Sequence, residues 1–298
     1  MAVDQLPSPT IALLGGGYTL QRVAQMLPAG SFVITSRDSD RCAAWQQRGW
    51  LSQSVSLENP ESIAELFKRF PELVTLVDSV PPVRHGAPTS GVEALVSVLV
   101  TTAVRRVLYL STTGVFGVRD GSVVDEDTPP SPWNPQGAAR LACEECYRDL
   151  ARKHTEVSFT ALRLPAIYGE DRGVAFSLRE GAYTLIDDGS YWTNRIHVHD
   201  LASVIVACIN FSGMLPGVLC VSDDYPTKAI DVVSYICERE RLPLPRSITA
   251  HEAAQRGAYT MLSNQRICNE RMKALLGVIL RYPSFREGVY GESKGGCE

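Results

Sequence analysis

The sequence has no apolar run of membrane-spanning length and no basic run. The first lack excludes a spanning helix. Lysine and arginine total 29 against 33 acidic residues, and the net charge of −4 leaves no electrostatic footprint for nucleic acid or an anionic membrane. A small-molecule partner is the remaining expectation. The eight cysteines are scattered through apolar or helical stretches and form no dense framework, so they read as reduced thiols. Cys143 and Cys146 keep C-x-x-C spacing, yet no second pair follows at zinc-site distance and no strand-to-helix redox context precedes them. The start, Met1 to Pro9, carries neither a basic nor an apolar leader segment. A soluble cytoplasmic protein without a metal is therefore expected.

What is present begins with Ile11-Ala-Leu-Leu-Gly15-Gly16-Gly17-Tyr18-Thr19-Leu20. Four apolar residues lead into a glycine cluster and then into a helix-period pattern, which reads as strand, tight turn and helix start. That geometry cradles a pyrophosphate: glycines let the backbone turn and approach closely, and helix N-terminal amides complement the charge. The third glycine of G-x-G-x-x-G is missing. Leu20 stands where a small residue normally lets helix and strand pack closely.

Ser31 to Arg37 reads as a second strand, ending about twenty residues beyond Gly15, where dinucleotide sites select their ribose. Arg37, with Ser36 as helper, argues for the 2′-phosphate of NADP, while the adjacent Asp38 keeps NAD possible. Polar amphipathic helices over 40–49 and 60–70 and a helical run over 91–104 alternate with strands at 50–54, 73–79 and 106–111. Repeated strand-helix units predict an α/β fold with a doubly wound parallel sheet and a ligand crevice at the carboxyl ends of its strands.

Two later stretches carry a resemblance: Leu110-Ser111-Thr112-Thr113-Gly114-Val115-Phe116-Gly117, and Pro132-Trp133-Asn134-Pro135-Gln136-Gly137-Ala138-Ala139-Arg140 running on to Glu144. They resemble the extended short-chain dehydrogenase/reductases of the NAD-dependent epimerase/dehydratase superfamily, where S-[ST]-x-x-V-[YF]-G precedes P-x-S-P-Y-G-x-S-K-x-x-x-E. Leu162-Arg163-Leu164-Pro165-Ala166-Ile167-Tyr168-Gly169 and Asn194-Arg195-Ile196-His197-Val198-His199-Asp200 extend the likeness. Residues 217–226 and the stretch from Tyr282 to Gly288 are similar to the YeeZ-like atypical group. The resemblance implies a Rossmann-type core over 8–170, rejoined by 194–223, with a small C-terminal substrate lobe from 171–193 and 224–292. It implies catalytic positions at Thr112, Gln136 and Arg140. The implied cofactor-binding set is Gly15, Gly16, Gly17, Tyr18, Thr19, Leu20, Ser36, Arg37, Ser79 and Pro165. A homodimer through the helix carrying Gln136 and its predecessor is also implied.

Gln136 and Arg140 replace the family's tyrosine and lysine. Spaced i and i+4, they share a helix face. Glutamine cannot exchange a proton near neutral pH, and arginine stays protonated, so the usual proton relay is absent. Such relays contribute about 10²–10⁴-fold in rate. Tyr147 lies about 10 Å further along the helix than Arg140, too far to substitute. Tyr183, Tyr191 and Trp192 are candidates for the substrate side, and Tyr168 reads as structural or cleft-lining. His197 and His199 would share one face of a strand but lack a third ligand. Asp125-Glu126-Asp127 reads as a solvated loop. The expectation is an NAD(P)-binding oxidoreductase or epimerase-like enzyme acting on a small polar substrate. Its rivals are an inactive dinucleotide-binding sensor or scaffold, and cofactor-independent lyase or isomerase chemistry.

Overall fold

The computed structural model describes residues 8–83, 86–257 and 262–291. Met1–Pro7, Cys297 and the last residue of the expected lobe, 292, lie outside the described residues. Seven strands form one sheet: β1 (Ile11–Leu14), β2 (Phe32–Ser36), β3 (Leu51–Ser54), β4 (Thr75–Asp78), β5 (Arg106–Thr112), β6 (Ser158–Leu164) and β7 (Val218–Cys220). Their order is β7-β6-β5-β4-β1-β2-β3. The pairs β1–β2, β1–β4, β2–β3 and β4–β5 are parallel, with Ile11 opposite both Phe32 and Thr75. Every residue of β1 and β4 is buried, as the apolar runs of helix-covered parallel strands require. The strand order reverses at β1, which opens a crevice at the carboxyl ends of β1 and β4.

Local chemistry sets the helices between these strands. In α1 (Tyr18–Met26), Leu20, Val23 and Ala24 face inward. The next helix, α2 (Ser39–Gln47), is capped by the Asp38 carboxylate, which accepts from the amides of Asp40 and Arg41. Asn59 caps α3 (Pro60–Arg69) in the same way, with proline at the first turn and Lys68 and Arg69 at the last. The helical pattern expected to reach Val104 stops earlier, in α4 (Ser90–Leu99). There Thr101 and Thr102 turn their hydroxyls back onto the carbonyls of Val98 and Leu99, competing with continuation of the helix. The longest helix is α5 (Pro135–Lys153).

The chain divides into two compact units. Unit 1 holds Met1–Ser111, Ala139–Leu162 and Ala202–Val218; unit 2 holds Thr112–Ala138, Arg163–Leu201 and Leu219–Glu298. This division differs from the one the sequence suggests, because 112–138 groups with the C-terminal residues. The cause is a ladder remote in sequence: Val123–Val124 pairs in parallel with Arg266–Ile267. Unit 2 has its own apolar core, built on Ala175, Leu178, Val232, Val233, Ile236 and Phe285.

The acidic loop expected to be solvated is so only in part. The Glu126 side chain is 3% exposed, accepts from the Cys220 amide at 2.9 Å and lies 3.6 Å from the Arg271 guanidinium. Asp125, half-buried, accepts from the amides of Asp127 and Thr128, and the Asp127 side chain is 74% exposed. Glu126→Ala would leave the buried Cys220 N–H without its acceptor, an expected loss of about 1–3 kcal/mol in thermal unfolding. Asp127→Ala, at an exposed ion pair, is expected to change stability by less than about 1 kcal/mol.

Candidate functional site

The glycine turn closes the carboxyl end of β1. Gly15 has φ of +79°, in the left-handed region that disfavours other residues. The Gly16 amide donates to the Thr35 carbonyl at 2.7 Å. A Cβ on Gly16 would stand 2.3 Å from the Trp45 ring and 2.8 Å from Ile34, so this middle glycine permits the close packing. Leu20, at the position of a third glycine, is fully buried core. A Cβ on Gly17 would meet nothing nearer than the Gly15 carbonyl at 3.8 Å, which leaves that side of the turn open. Gly17 caps α1 without a side-chain bond, and no acid occupies the first turn, so the first amides can receive an anion. Thr19 is buried, and the Tyr18 ring carries the Arg22 guanidinium 4.2 Å from its centre.

At the end of β2 the Ser36 hydroxyl accepts from the Asp38 amide at 3.1 Å. Arg37 is exposed, and its guanidinium has no partner among the described residues. Asp38, the residue that would favour NAD, is committed to the α2 cap.

Beyond β4, the Ser79 hydroxyl donates to the Gly15 carbonyl at 2.6 Å and to that of Leu14 at 3.0 Å. Asp78 beside it is fully buried, accepting from the Tyr147 hydroxyl at 2.7 Å and the Val80 amide at 2.8 Å. Burial pushes its carboxyl up to about 6, against the lowering effect of those two bonds and of the nearby Arg140 charge. Tyr147 is spent on this internal bond, and burial raises its own pKa further. Arg140 donates to the Tyr109 hydroxyl and to the carbonyls of Leu110 and Val80. Burial likewise raises the Cys143 thiol to about 11, so the C-x-x-C pair carries no activated thiolate.

Thr112, Gln136 and Pro165 belong to unit 2, whereas Gly15–Leu20, Ser36, Arg37, Ser79 and Arg140 belong to unit 1. Thr112 accepts from the Gly114 amide at 3.1 Å and keeps its hydroxyl proton to donate. A Cβ on Gly137 would lie 2.6 Å from the Gly114 carbonyl, so the start of α5 packs against the Thr112 turn. Gln136, the residue before Gly137, is exposed. Ser111, by contrast, is held by the buried Glu144 carboxylate at 2.5 Å. Pro165 links β6 to a short strand, Ala166–Tyr168, that pairs in parallel with Arg195–His197.

Unit 2 also contains a cavity of about 310 Å³, lined by Tyr168, Arg172, Val174, Arg195, Val232 and Phe285 among others. Arg195 is buried: one guanidinium nitrogen donates to Thr193 at 2.5 Å, and Nη1 has no hydrogen-bond partner among the described residues. Burial lowers its pKa and pushes the carboxyl of the nearby Asp223 up to about 8, so desolvation outweighs their mutual attraction. Tyr168 lines this cavity and also donates to the Ser284 carbonyl at 3.2 Å, combining the two roles expected of it. Tyr183 and Tyr191 are both largely buried, with raised pKa values. Arg195 stands in a family motif but has no role legible from the sequence, since its strand, Arg195-Ile196-His197, is not marked out by an apolar setting. His199 does not share a strand with His197, since it lies in the helix Val198–Asn210, and the two rings meet edge-on at 5.1 Å. Among the described residues no acidic, histidine or cysteine group is placed to hold a metal ion. No described helix is long and apolar enough to cross a membrane.

A parallel sheet reversing at β1, with an uncapped helix rising from a glycine turn in the crevice, defines a Rossmann-type protein of the extended short-chain dehydrogenase/reductase architecture. A model of the NAD dependent epimerase/dehydratase family matches residues 16–217, and the chain belongs to that family. A solved protein from Silicibacter pomeroyi, described as conserved and functionally unknown, is 30% identical, with 94% of this chain and 96% of that one aligned at a TM-score of 0.72. The dTDP-glucose 4,6-dehydratase of Bacillus anthracis, solved with NAD, is 17% identical over 94% of both chains, with a TM-score of 0.78. Among curated relatives, an uncharacterized protein of Sinorhizobium fredii is 30% identical over 129 residues, 41% of this chain and 32% of its own. A putative UDP-arabinose 4-epimerase of Arabidopsis thaliana is 24% identical over 167 residues, 56% of this chain and 34% of its own. The chain spans about a third of the length of these curated relatives.

The raised pKa of Asp78 has a definite sign in stability. The folded state binds the extra proton between the unfolded value near 3.8 and about 6, so the contribution of Asp78 falls as pH rises through that window and stays low above it. Raising the pH from about 5 to about 7.5 is expected to lower the melting temperature of the parent by a few degrees more than that of Asp78→Asn. Equal shifts in paired thermal scans would contradict the assignment.

Proposed function

We propose that the chain binds a nicotinamide dinucleotide at the Gly15–Leu20 turn and acts as an oxidoreductase or epimerase-like enzyme on a small polar substrate. The observation that carries this reading is the turn itself: Gly15 in the left-handed region, Gly17 open to approach, and the first amides of α1 without a side-chain cap. The solved Bacillus anthracis relative holds NAD, which supports the same class of cofactor here. The exposed Arg37 and the prior commitment of Asp38 to a helix cap favour NADP over NAD. Ser36, Ser79 and Pro165 complete the proposed cofactor set.

The cofactor, when bound, supplies hydride chemistry. Thr112 has a hydroxyl proton free to donate to a substrate oxygen, and the exposed Gln136 amide donates or accepts without exchanging a proton. Arg140 stands one turn further on as a fixed cation. The Arg195 side chain among the residues lining the unit 2 cavity favours a substrate with an anionic group. The same reading includes a homodimer through α4 and α5. It also includes a cytoplasmic location, supported by seven free cysteines among the described residues.

A second reading, a dinucleotide-binding sensor or scaffold that has lost turnover, is favoured by Gln136, which has no proton to exchange at the family's tyrosine position. Calorimetric titration with NADP(H) and NAD(H) tests both readings, and absence of saturable binding would overturn both. Arg37→Ala is expected to erode the preference for NADP by about tenfold or more, the worth of a charge-assisted bond. An unchanged ratio removes the case for NADP. Gln136→Tyr separates the two readings in a cofactor-oxidation screen over keto, aldehyde and sugar-nucleotide substrates. Turnover by the parent establishes the enzyme, whereas turnover by the variant alone establishes the sensor.

A further inference from the structure

Arg140 occupies the family's lysine position, but its contacts within unit 1 point inward. Its Nη1 lies 2.9 Å from the Tyr109 hydroxyl, 3.1 Å from the Leu110 carbonyl and 3.3 Å from the Val80 carbonyl. Leu110 lies near the carboxyl end of β5, and Val80 is two residues past the end of β4. One nitrogen thus ties two neighbouring strand ends together. Tyr109 is fully buried, so its hydroxyl cannot reach a ligand; it accepts from Arg140 and also meets the Cys143 thiol.

From Val80 the connection continues to the glycine turn. The Val80 amide donates to Asp78, and the adjacent Ser79 gives both its amide and its hydroxyl to the Leu14 carbonyl and the hydroxyl also to that of Gly15. A Cβ on Gly15 would stand 3.0 Å from the Ser79 hydroxyl and 3.1 Å from the Val80 side chain. The turn therefore rests directly on the Ser79–Val80 corner, whose outer carbonyl is held by Arg140. Arginine suits this work because its charge is fixed and its planar fork keeps further N–H groups after Nη1 is committed.

We propose that Arg140 is a positioning residue: it clamps Val80 to the end of β5 and so fixes the corner beneath the Gly15 turn. Its effect on dinucleotide affinity runs through that corner and not through contact of its charge with the ligand. The affinity part rests on the dinucleotide reading above; the clamp itself does not.

Tyr109→Phe, which removes one buried oxygen from the clamp, and Arg140→Met separate the possibilities. Each variant, and the double variant, is checked for thermal unfolding. Its affinity for NADPH and NADH is then measured by calorimetry, and amide hydrogen exchange is followed in the ligand-free protein. Both single variants are expected to weaken dinucleotide binding, by about three- to tenfold, with the double variant no weaker than Arg140→Met alone, the non-additivity of residues acting as one unit. Exchange at Gly15, Gly16 and Val80 is expected to quicken in both while β3 stays unchanged, which separates local loosening from general destabilisation. Loss of affinity in Arg140→Met, with affinity and exchange both unchanged in Tyr109→Phe, would overturn the proposal and place Arg140 on the ligand. If the parent binds no dinucleotide, the functional reading fails while exchange still decides the clamp: unchanged rates at Val80 and Gly15 in Arg140→Met overturn it. If Arg140→Met does not fold, affinity and exchange in Tyr109→Phe decide alone.

Discussion

The Ser79 hydroxyl donates to two consecutive carbonyls, those of Leu14 and Gly15, at the point where the sheet order reverses. The Leu14 carbonyl closes the β1–β4 ladder, where it also accepts the Ser79 amide, and the Gly15 carbonyl lies just beyond it. Binding them from the neighbouring strand end fixes the height of the glycine turn above the sheet. Everything proposed for this crevice depends on that height, because backbone amides bind phosphate only when they converge on one place. The buried polar set behind the corner, with Asp78 between Tyr147 and the Val80 amide, is the inner layer of the same support.

The architecture was legible because it is written locally. Ile11–Leu14 and Thr75–Asp78 are short apolar runs between turn signals, and Asn59-Pro60 announces a helix start. The glycine cluster located the turn for the same reason. Residues whose role is set by distant partners stayed hidden. Trp45 lies twenty-nine positions from Gly16, and only the fold shows that the ring fills the space a Cβ would need. Glu126 looks like any loop acid until Cys220, 94 positions on, turns its amide toward it. Asp38 was weighed as a ribose ligand when its nearest calls are the amides of its own helix.

Gln136 and Arg140 were visible as departures from a family pattern, and their consequences could be stated in part. The loss of a proton donor follows from residue type alone. The inward direction of the arginine does not, since an i, i+4 pair shares a face without saying which neighbours that face meets. The two substituted residues therefore separate in character: Gln136 is exposed, whereas Arg140 is engaged with strand ends. Arg195 shows the converse, a charged residue at a family position that lines a cavity only once unit 2 has folded around it.

The stretch between β5 and α5 finds its partners late in the chain. Gln265 donates to the Thr113 carbonyl, Arg266–Ile267 pairs with Val123–Val124, and Arg271 meets Glu126 and Asp127. On the ribosome, unit 1 can assemble once residue 218 has emerged. Residues 112–138, already synthesised, must wait for another fifty or so residues before their backbone is covered. During that interval they are an open strand in search of an edge, the period of greatest exposure to a wrong partner.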